Sequence, residues 1–127
     1  MSVIRAIALG CGHYLPARVV ENAEFAARLD TTDEWIRSRT GIERRRFAAE
    51  GETTSDLAVA AAQAALRDAG LGPDDIDAVI VATATPDQTF PAVAARVQAA
   101  IGMRRGYAFD VQAVCAGFVF ALAQADA

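Results

Sequence analysis

Five consecutive apolar residues, Ala78–Ala82 (Ala-Val-Ile-Val-Ala), restrict the fold of this chain more than any other feature. Because successive side chains of a strand point to opposite faces, a continuous apolar run predicts a strand buried on both faces. Such strands are typical of parallel sheets with helices on each side. Helical patterns that end at Gly70 and Gly102 flank this run. The sequence therefore predicts an α/β fold with right-handed crossovers.

Capping and turn signals divide the rest of the chain into further elements. Asn22 is a candidate helix cap, Thr31 with Glu34 has the spacing of a capping box, and Pro91 suits the first turn of a helix. We predict strands over residues 3–9, Ala78–Ala82 and Tyr107–Val111, and an exposed strand or loop over 43–47. We predict helices over 23–29, from Thr31 through Trp35 and Ile36 with Gly41 as the end, from a cap at Thr53, Thr54 or Ser55 to Ala69, over 92–101, and after Cys115.

Composition excludes several classes of protein. Hydrophobic residues make up 54% of the 127 residues and charged residues 22%, so the chain is not intrinsically disordered. The net charge is −4, and all 12 basic residues are arginine, with no broad basic surface that would indicate nucleic acid binding. A single His and no Cys-x-x-Cys pair leave a structural zinc site without ligands, so we expect no metal.

Targeting signals are also missing from the sequence pattern. Arg5 interrupts the apolar N-terminal run, and no cleavage-site pattern follows it. The longest apolar stretch, from Val111 to Ala125, contains two glutamines and falls short of the ~18 residues of a membrane span. We expect a soluble, cytoplasmic protein without a membrane partner.

Cys115 is the strongest candidate for a catalytic nucleophile in the sequence. It follows a strand pattern and precedes a helix, so its thiol should lie at a strand-to-helix turn. At a helix N-terminus, the macrodipole and the free N–H groups favour a thiolate. On spacing alone, a buried and inert cysteine is the better interpretation, because cysteine is among the most buried residue types.

Four segments follow one another along the chain. They are Gly12-His13-Tyr14-Leu15-Pro16, then Asp30-Thr31-Thr32-Asp33-Glu34-Trp35-Ile36 with Arg39-Thr40-Gly41-Ile42, then Val81-Ala82-Thr83-Ala84-Thr85 with Phe90-Pro91, and Asp110-Val111-Gln112-Ala113-Val114-Cys115-Ala116-Gly117-Phe118. In this order, they resemble β-ketoacyl-acyl carrier protein synthase III of the thiolase superfamily, and the segment around Cys115 resembles the nucleophile segment of that family. The resemblance covers the whole chain.

The resemblance implies a thiolase-like fold, of which residues 1–127 would form most of the first half of a layered α-β-α-β-α architecture. It implies that Cys115 takes an acyl group from acyl-CoA and condenses it with malonyl-acyl carrier protein to initiate fatty acid biosynthesis. The implied partners are acyl-CoA, acyl carrier protein and a second copy in a homodimer. Acyl-CoA is a substrate, so no cofactor is expected.

Other site residues follow from the same resemblance. Trp35 would stack on the adenine of CoA, with Arg39 beside it and Thr31 as a weaker contact. Phe90 would cross the dimer interface and close the acyl pocket of the partner. Each has a structural alternative: core filling for Trp35, a helix cap for Thr31, and a hydrophobic staple next to Pro91 for Phe90.

Three further motifs favour ordinary structural roles. His13 is interpreted as a loop or surface histidine, and the run Arg44-Arg45-Arg46 as a solvated face, although it could attract an acidic carrier protein. Gly10-Cys11-Gly12 lacks the third glycine of a dinucleotide-binding fingerprint, so that function is rejected.

Two other functions remain open: a thiolase-superfamily condensing enzyme of secondary metabolism, of polyketide or alkylquinolone type, and a non-catalytic interaction module. The pattern after Cys115 is still helical and apolar at Ala127, with no capping signal. We therefore expect a truncated piece of a longer protein. The His and Asn that the family uses for decarboxylation would lie in the missing half, so residues 1–127 alone should be inactive.

Overall fold

The computed structural model describes residues 6–127, which divide into two compact units. The smaller unit comprises residues 15–52, and the larger unit comprises residues 6–14 and 53–127. In chain order, the elements are β1 Arg18–Glu21, α1 Asn22–Ala26, α2 Asp33–Thr40, β2 Arg44–Phe47, α3 Thr54–Ala69, a 3₁₀ turn at Pro73–Asp75, β3 Ala78–Ala82, α4 Val93–Ile101, β4 Tyr107–Val111, a 3₁₀ turn at Val114–Ala116 and α5 Gly117–Ala125.

The larger unit is built on two parallel strands, as the sequence predicts. β3 pairs with β4 from Ala78 opposite Tyr107 to Ala82 opposite Val111, and both strands have the predicted bounds. The best-buried apolar side chains of this unit lie on α4 and just after it: Val93, Ala94, Val97 and Met103. The prediction that β3 is buried on both faces is wrong for this chain, because none of its residues is fully buried.

Side-chain caps set the beginning of α3, the longest helix of the described residues. Thr53 is the N-cap and forms a capping box with Asp56, which confirms one of the three predicted caps. Helix α4 begins one residue later than predicted. Ala92 is its N-cap, so Pro91 precedes the helix and is not part of its first turn.

The smaller unit contains a strand pair, of which the sequence predicted only one member. The exposed strand or loop predicted over 43–47 is strand β2, whereas β1 was not predicted. β1 runs antiparallel to β2, from Arg18 opposite Phe47 to Glu21 opposite Arg44. Val20 on β1 is fully buried. The predicted helix over 23–29 is shorter, since α1 ends at Ala26, and Asn22 is a buried residue within it instead of its cap.

The capping box predicted for α2 is also wrong. Thr32 is the N-cap, and its Oγ1 accepts a hydrogen bond from the backbone N–H of Trp35 at 3.1 Å. Two adjacent threonines compete for this role, and the backbone places the second one in the extended conformation that a cap requires. Thr31 is therefore not needed as a cap.

The N-terminal segment lies close against α3. Residues 3–5 of the predicted first strand lie outside the described residues, and residues 6–9 are not in a strand. A Cβ at Gly10 would lie 2.6 Å from the backbone nitrogen of Ala69, and one at Gly12 would overlap the backbone at Ala61 and Ala65. These glycines permit close packing of the segment on a helix, which explains them without a nucleotide.

Helix α5 presents apolar side chains to solvent in this chain. Its four large apolar residues are all more than half exposed: Phe118, Val119, Phe120 and Leu122. Among residues 6–127, no helix combines the length and the apolar character needed to cross a membrane.

Candidate functional site

Cys115 lies in the short turn that joins β4 to α5, as predicted. The turn is the 3₁₀ segment Val114–Ala116, and the backbone N–H of Ala116 donates to the carbonyl of Ala113 at 2.9 Å. The Cys115 thiol is free and exposed. Cys115 is therefore not buried in this chain, contrary to the interpretation from spacing alone.

The backbone around Cys115 is unusual on both sides. Val114 has a φ of 46°, which a β-branched residue adopts only where the surrounding structure enforces it. Gly117 is buried, and a Cβ there would lie 3.2 Å from the Cβ of Ala82 on β3. The thiol therefore lies between a strained residue and a close contact of α5 with the sheet.

Asp110 fixes the strand that leads to this turn. Its two carboxylate oxygens accept hydrogen bonds from the backbone N–H groups of Val93 and Ala94, each at 2.8 Å. These N–H groups belong to the first turn of α4, where a negative charge also interacts favourably with the helix dipole. Asp110 thus ties β4 to α4. Sequence analysis missed this role, although an acidic residue within an apolar strand was a signal for it.

The loop between β3 and α4 is anchored by a second carboxylate, that of Asp87. The side chain of Asp87 is 3% exposed, lies 3.1 Å from a guanidinium nitrogen of Arg96 and accepts a hydrogen bond from the backbone N–H of Ser55 at 3.1 Å. Burial raises the pKa of Asp87, but the hydrogen bonds of Ser55 and Thr53 and the charge of Arg96 together hold it below its ordinary value.

Phe90 extends from this loop into solvent. Its side chain is 81% exposed, and its carbonyl accepts a hydrogen bond from Nε2 of Gln88 at 2.8 Å. The hydrophobic staple that we considered for Phe90 is therefore wrong in this chain, because its ring is not packed.

In the smaller unit, Trp35 and Thr31 line one cleft of about 520 Å³. Trp35 is 56% exposed, so it does not fill the core. The guanidinium carbon of Arg39 lies 5.9 Å from the centre of the Trp35 ring. The hydroxyl of Thr31 is buried and has no hydrogen-bond partner among the described residues. The structure thus brings together the three residues that the resemblance grouped.

The same cleft includes a residue that sequence analysis assigned to a solvated face. Arg44 and Arg46 are exposed, but Arg45 is half-buried and lines the cleft with Trp35. Alternation along a strand explains the difference, since Arg45 points to the opposite face from its two neighbours. The solvated-face interpretation is therefore wrong for Arg45.

Two exposed residues lie outside these clusters, and the position of His13 agrees with its prediction as a loop or surface histidine. His13 lies in a segment without regular structure and is exposed. Cys11 is also free and exposed, and its backbone N–H donates to the carboxylate of Asp68 at 2.9 Å.

Comparisons with known proteins agree with the fold and with the segments noted in the sequence. No family model matches the chain. The chain is 74% identical over 123 residues to a β-ketoacyl-[acyl-carrier-protein] synthase III of Rhodobacter capsulatus, covering 97% of this chain and 38% of the relative.

Two solved structures are similar as well. The β-ketoacyl-[acyl-carrier-protein] synthase III of Thermus thermophilus is 53% identical with a TM-score of 0.86, covering 94% of this chain and 37% of that one. The priming β-ketosynthase of the R1128 polyketide biosynthetic pathway is 39% identical with a TM-score of 0.90, and the match covers 99% of this chain and 38% of that one.

The fold and the cysteine at the end of β4 define the chain as an α/β fragment of the thiolase-like class, as predicted. Within that class, it is homologous to the N-terminal portion of β-ketoacyl-acyl carrier protein synthase III, which confirms the resemblance. The chain spans about 38% of the length of the curated relatives that it matches.

Proposed function

We propose that the full-length protein is a β-ketoacyl-acyl carrier protein synthase III that initiates fatty acid biosynthesis. One observation carries the proposal: a free, exposed cysteine follows the parallel strand β4, within a chain 74% identical to a synthase of that name. A thiol in this position suits covalent catalysis, because a thiolate is both a good nucleophile and a good leaving group.

The proposed reaction has two steps at Cys115. The Cys115 thiolate attacks the carbonyl of acyl-CoA, the C–S bond to CoA breaks, and CoA leaves as a thiol after taking up a proton. The malonyl group of malonyl-acyl carrier protein then loses carbon dioxide, and its α-carbon attacks the enzyme thioester. A carbon–carbon bond forms, and the Cys115 thiolate is released.

The cleft of the smaller unit is proposed to bind the nucleotide of CoA. Trp35 presents an exposed indole face, and aromatic stacking on a base is worth roughly 1–3 kcal/mol. Arg39 lies beside the indole, and the unpartnered hydroxyl of Thr31 is available for a polar contact. The size of the cleft, about 520 Å³, is within the range of small-molecule sites.

Phe90 is proposed to contact a second copy of the protein in a homodimer. Its ring is 81% exposed on a loop that Asp87 anchors, so it is free to enter a partner's acyl pocket without a change in the loop. Acyl carrier protein as the second substrate and a cytoplasmic location belong to the same proposal, which follows the named function of the relatives.

Acylation of the full-length protein by radiolabelled acetyl-CoA tests the proposal. We expect label on Cys115, no label in Cys115→Ala, and undiminished label in the control Cys11→Ala, whose thiol is equally exposed. Full turnover of malonyl-acyl carrier protein by Cys115→Ala would rule out this assignment. A wild-type protein that takes up no label would instead support a non-catalytic interaction module.

A second candidate is a condensing enzyme of polyketide biosynthesis. The similarity to the R1128 priming ketosynthase, with a TM-score of 0.90, favours it specifically. The two enzymes are distinguished by the carrier protein they use. Faster condensation with the carrier protein of fatty acid synthesis supports the first proposal, and faster condensation with a dedicated polyketide carrier protein supports the second.

A further inference from the structure

We propose that Arg45 binds a phosphate group of the nucleotide that occupies the Trp35 cleft. This inference rests on the proposed function, because the ligand is the nucleotide end of acyl-CoA. It adds a second arginine, one that lines the cleft itself, to a site for which the resemblance supplied Trp35, Arg39 and Thr31.

Two contacts within the smaller unit, with Asn22 and with the Phe25 ring, hold the guanidinium of Arg45 in place. Its Nη1 donates to Oδ1 of Asn22 at 2.7 Å, and Asn22 is only 1% exposed. The guanidinium carbon lies 4.4 Å from the centre of the Phe25 ring, within cation–π range. Since Asn22 is itself held by Asp33 and by the carbonyl of Ile42, the guanidinium is ordered before any ligand arrives.

The charge of Arg45 is not neutralised within the smaller unit. Arg18 pairs with Glu24, and Arg37 pairs with Glu43, but no described carboxylate forms an ion pair with Arg45. Asp30 lines the same cleft without pairing to Arg45. A half-buried cation without a counterion attracts an anion more strongly than one exposed to water, because the local dielectric constant is lower.

The rest of the cleft fits a phosphorylated nucleotide. Apolar walls and the indole of Trp35 suit a base, and the buried Thr31 hydroxyl, which has no described partner, suits a polar ligand atom. A guanidinium keeps further N–H donors after one hydrogen bond, and its planar fork matches phosphate oxygens. One cleft therefore combines an aromatic surface, an orphan hydroxyl and an unpaired cation.

The neighbouring Arg44 provides a matched control. It lies on the same strand and carries the same charge, but it is exposed and does not line this cleft. The variants Arg45→Gln and Arg44→Gln therefore change the net charge equally but remove it from opposite faces of the strand. Arg45→Gln also removes the contacts with Asn22 and Phe25, and the donor without a nucleotide controls for that loss.

The test compares three acetyl donors in the full-length enzyme: acetyl-CoA, acetyl-3′-dephospho-CoA and acetyl-pantetheine, which has no nucleotide. We expect Arg45→Gln to raise the KM for acetyl-CoA about tenfold and to leave that for acetyl-pantetheine unchanged. If the 3′-phosphate is the ligand, the increase disappears with the dephospho donor; if the diphosphate is the ligand, it persists. Both results support the proposal. Arg44→Gln should match the wild type with all three donors.

Equal losses with all three donors, or no loss with any, would overturn the proposal. Arg45→Lys, which keeps the charge and loses the planar fork, gives a second measure in case Arg45→Gln does not fold. It should raise the KM for acetyl-CoA about threefold in the same donor-dependent way. Trp35→Ala distinguishes failure of the proposed CoA site from failure of the role proposed for Arg45. If Trp35→Ala has a donor-dependent effect and Arg45→Gln has none, the CoA site is supported and the role of Arg45 in it is overturned.

Discussion

The two units hold their candidate residues by different means. In the larger unit, the path to Cys115 is set by the main chain: paired strands, helix N–H groups bound by Asp110, and glycines that allow backbones to approach closely. In the smaller unit, Arg45 of the Trp35 cleft is held by hydrogen bonds between side chains that converge on Asn22. We therefore expect added side-chain volume to destabilise the larger unit most. The loss of a side-chain hydrogen bond should destabilise the smaller unit most.

The largest expected effect is steric and belongs to the larger unit. In Gly12→Ala, the added Cβ would meet the backbone of α3, which cannot rotate away as a side chain can. We expect a loss of about 3 kcal/mol in the free energy of unfolding of the full-length protein, measured in urea. In the control Gly72→Ala, the nearest atom is 3.6 Å away, and the change should be near zero.

Removal of the hydrogen-bonding centre of the smaller unit comes next. Asn22→Ala leaves the carboxylate of Asp33, the carbonyl of Ile42 and the guanidinium of Arg45 without their buried partner. We expect a loss of about 2 kcal/mol in the same urea measurement. Ser38→Ala, which removes an exposed hydroxyl bonded to the carbonyl of Trp35, is the control and should cost much less. Equal losses in the two variants would contradict the role given to Asn22.

Trp35→Ala should affect binding more than stability. Loss of the exposed indole is expected to raise the KM for acetyl-CoA about tenfold, within the range of base stacking on an aromatic ring. Acetyl-pantetheine, which lacks adenine, should show little change, and Trp35→Phe should retain much of the affinity. Equal losses with both donors would indicate that Trp35 supports the smaller unit instead of a ligand.

The smallest effect concerns pH and the anchored loop of the larger unit. Because the pKa of Asp87 is lowered in the folded protein, its carboxylate stabilises the fold above the unfolded pKa of about 4. That contribution is lost as the pH falls through the folded pKa. Asp87→Asn should therefore be about 1 kcal/mol less stable at pH 7, and the difference should shrink in acid.

Thermal unfolding from pH 7 down to pH 3 measures this difference. Asp56→Asn is the comparison variant, because hydrogen bonds from Thr53 also lower the pKa of Asp56. Unlike that of Asp87, the carboxylate of Asp56 is exposed, and its hydrogen bonds come from a residue three positions away in the chain. A difference between wild type and Asp87→Asn that stays constant with pH would show that the charge of Asp87 does not stabilise the loop.

Elements with strong local signals could be predicted from the sequence. The bounds of β3 and β4 follow from short apolar runs between turn residues, and the start of α3 follows from the capping box of Thr53 and Asp56. Cys115 could be placed because both neighbouring elements were evident. These features depend on residues close together in the chain, which is where sequence patterns are informative.

Features that depend on distant residues could not be predicted. β1 is a strand because β2 pairs with it. Its four residues are too few for an alternation of apolar and polar side chains to predict a strand. Arg45 was interpreted with its exposed neighbours because nothing in three consecutive arginines shows which one meets Asn22. The choice between Thr31 and Thr32 as the N-cap of α2 also depends on the backbone conformation, and the sequence permits either residue in that role.

The positive φ of Val114 has a consequence for laboratory evolution of this protein. A β-branched residue in the left-handed region costs on the order of 1–3 kcal/mol, which glycine would avoid. A selection for stability alone would therefore enrich glycine or asparagine at position 114, and the turn that presents Cys115 would become less constrained. We expect selection for the proposed acyl transfer to act in the opposite direction, because it would favour a constrained turn at Cys115. Position 114 is thus where competing pressures on stability and reactivity should first become visible in a library.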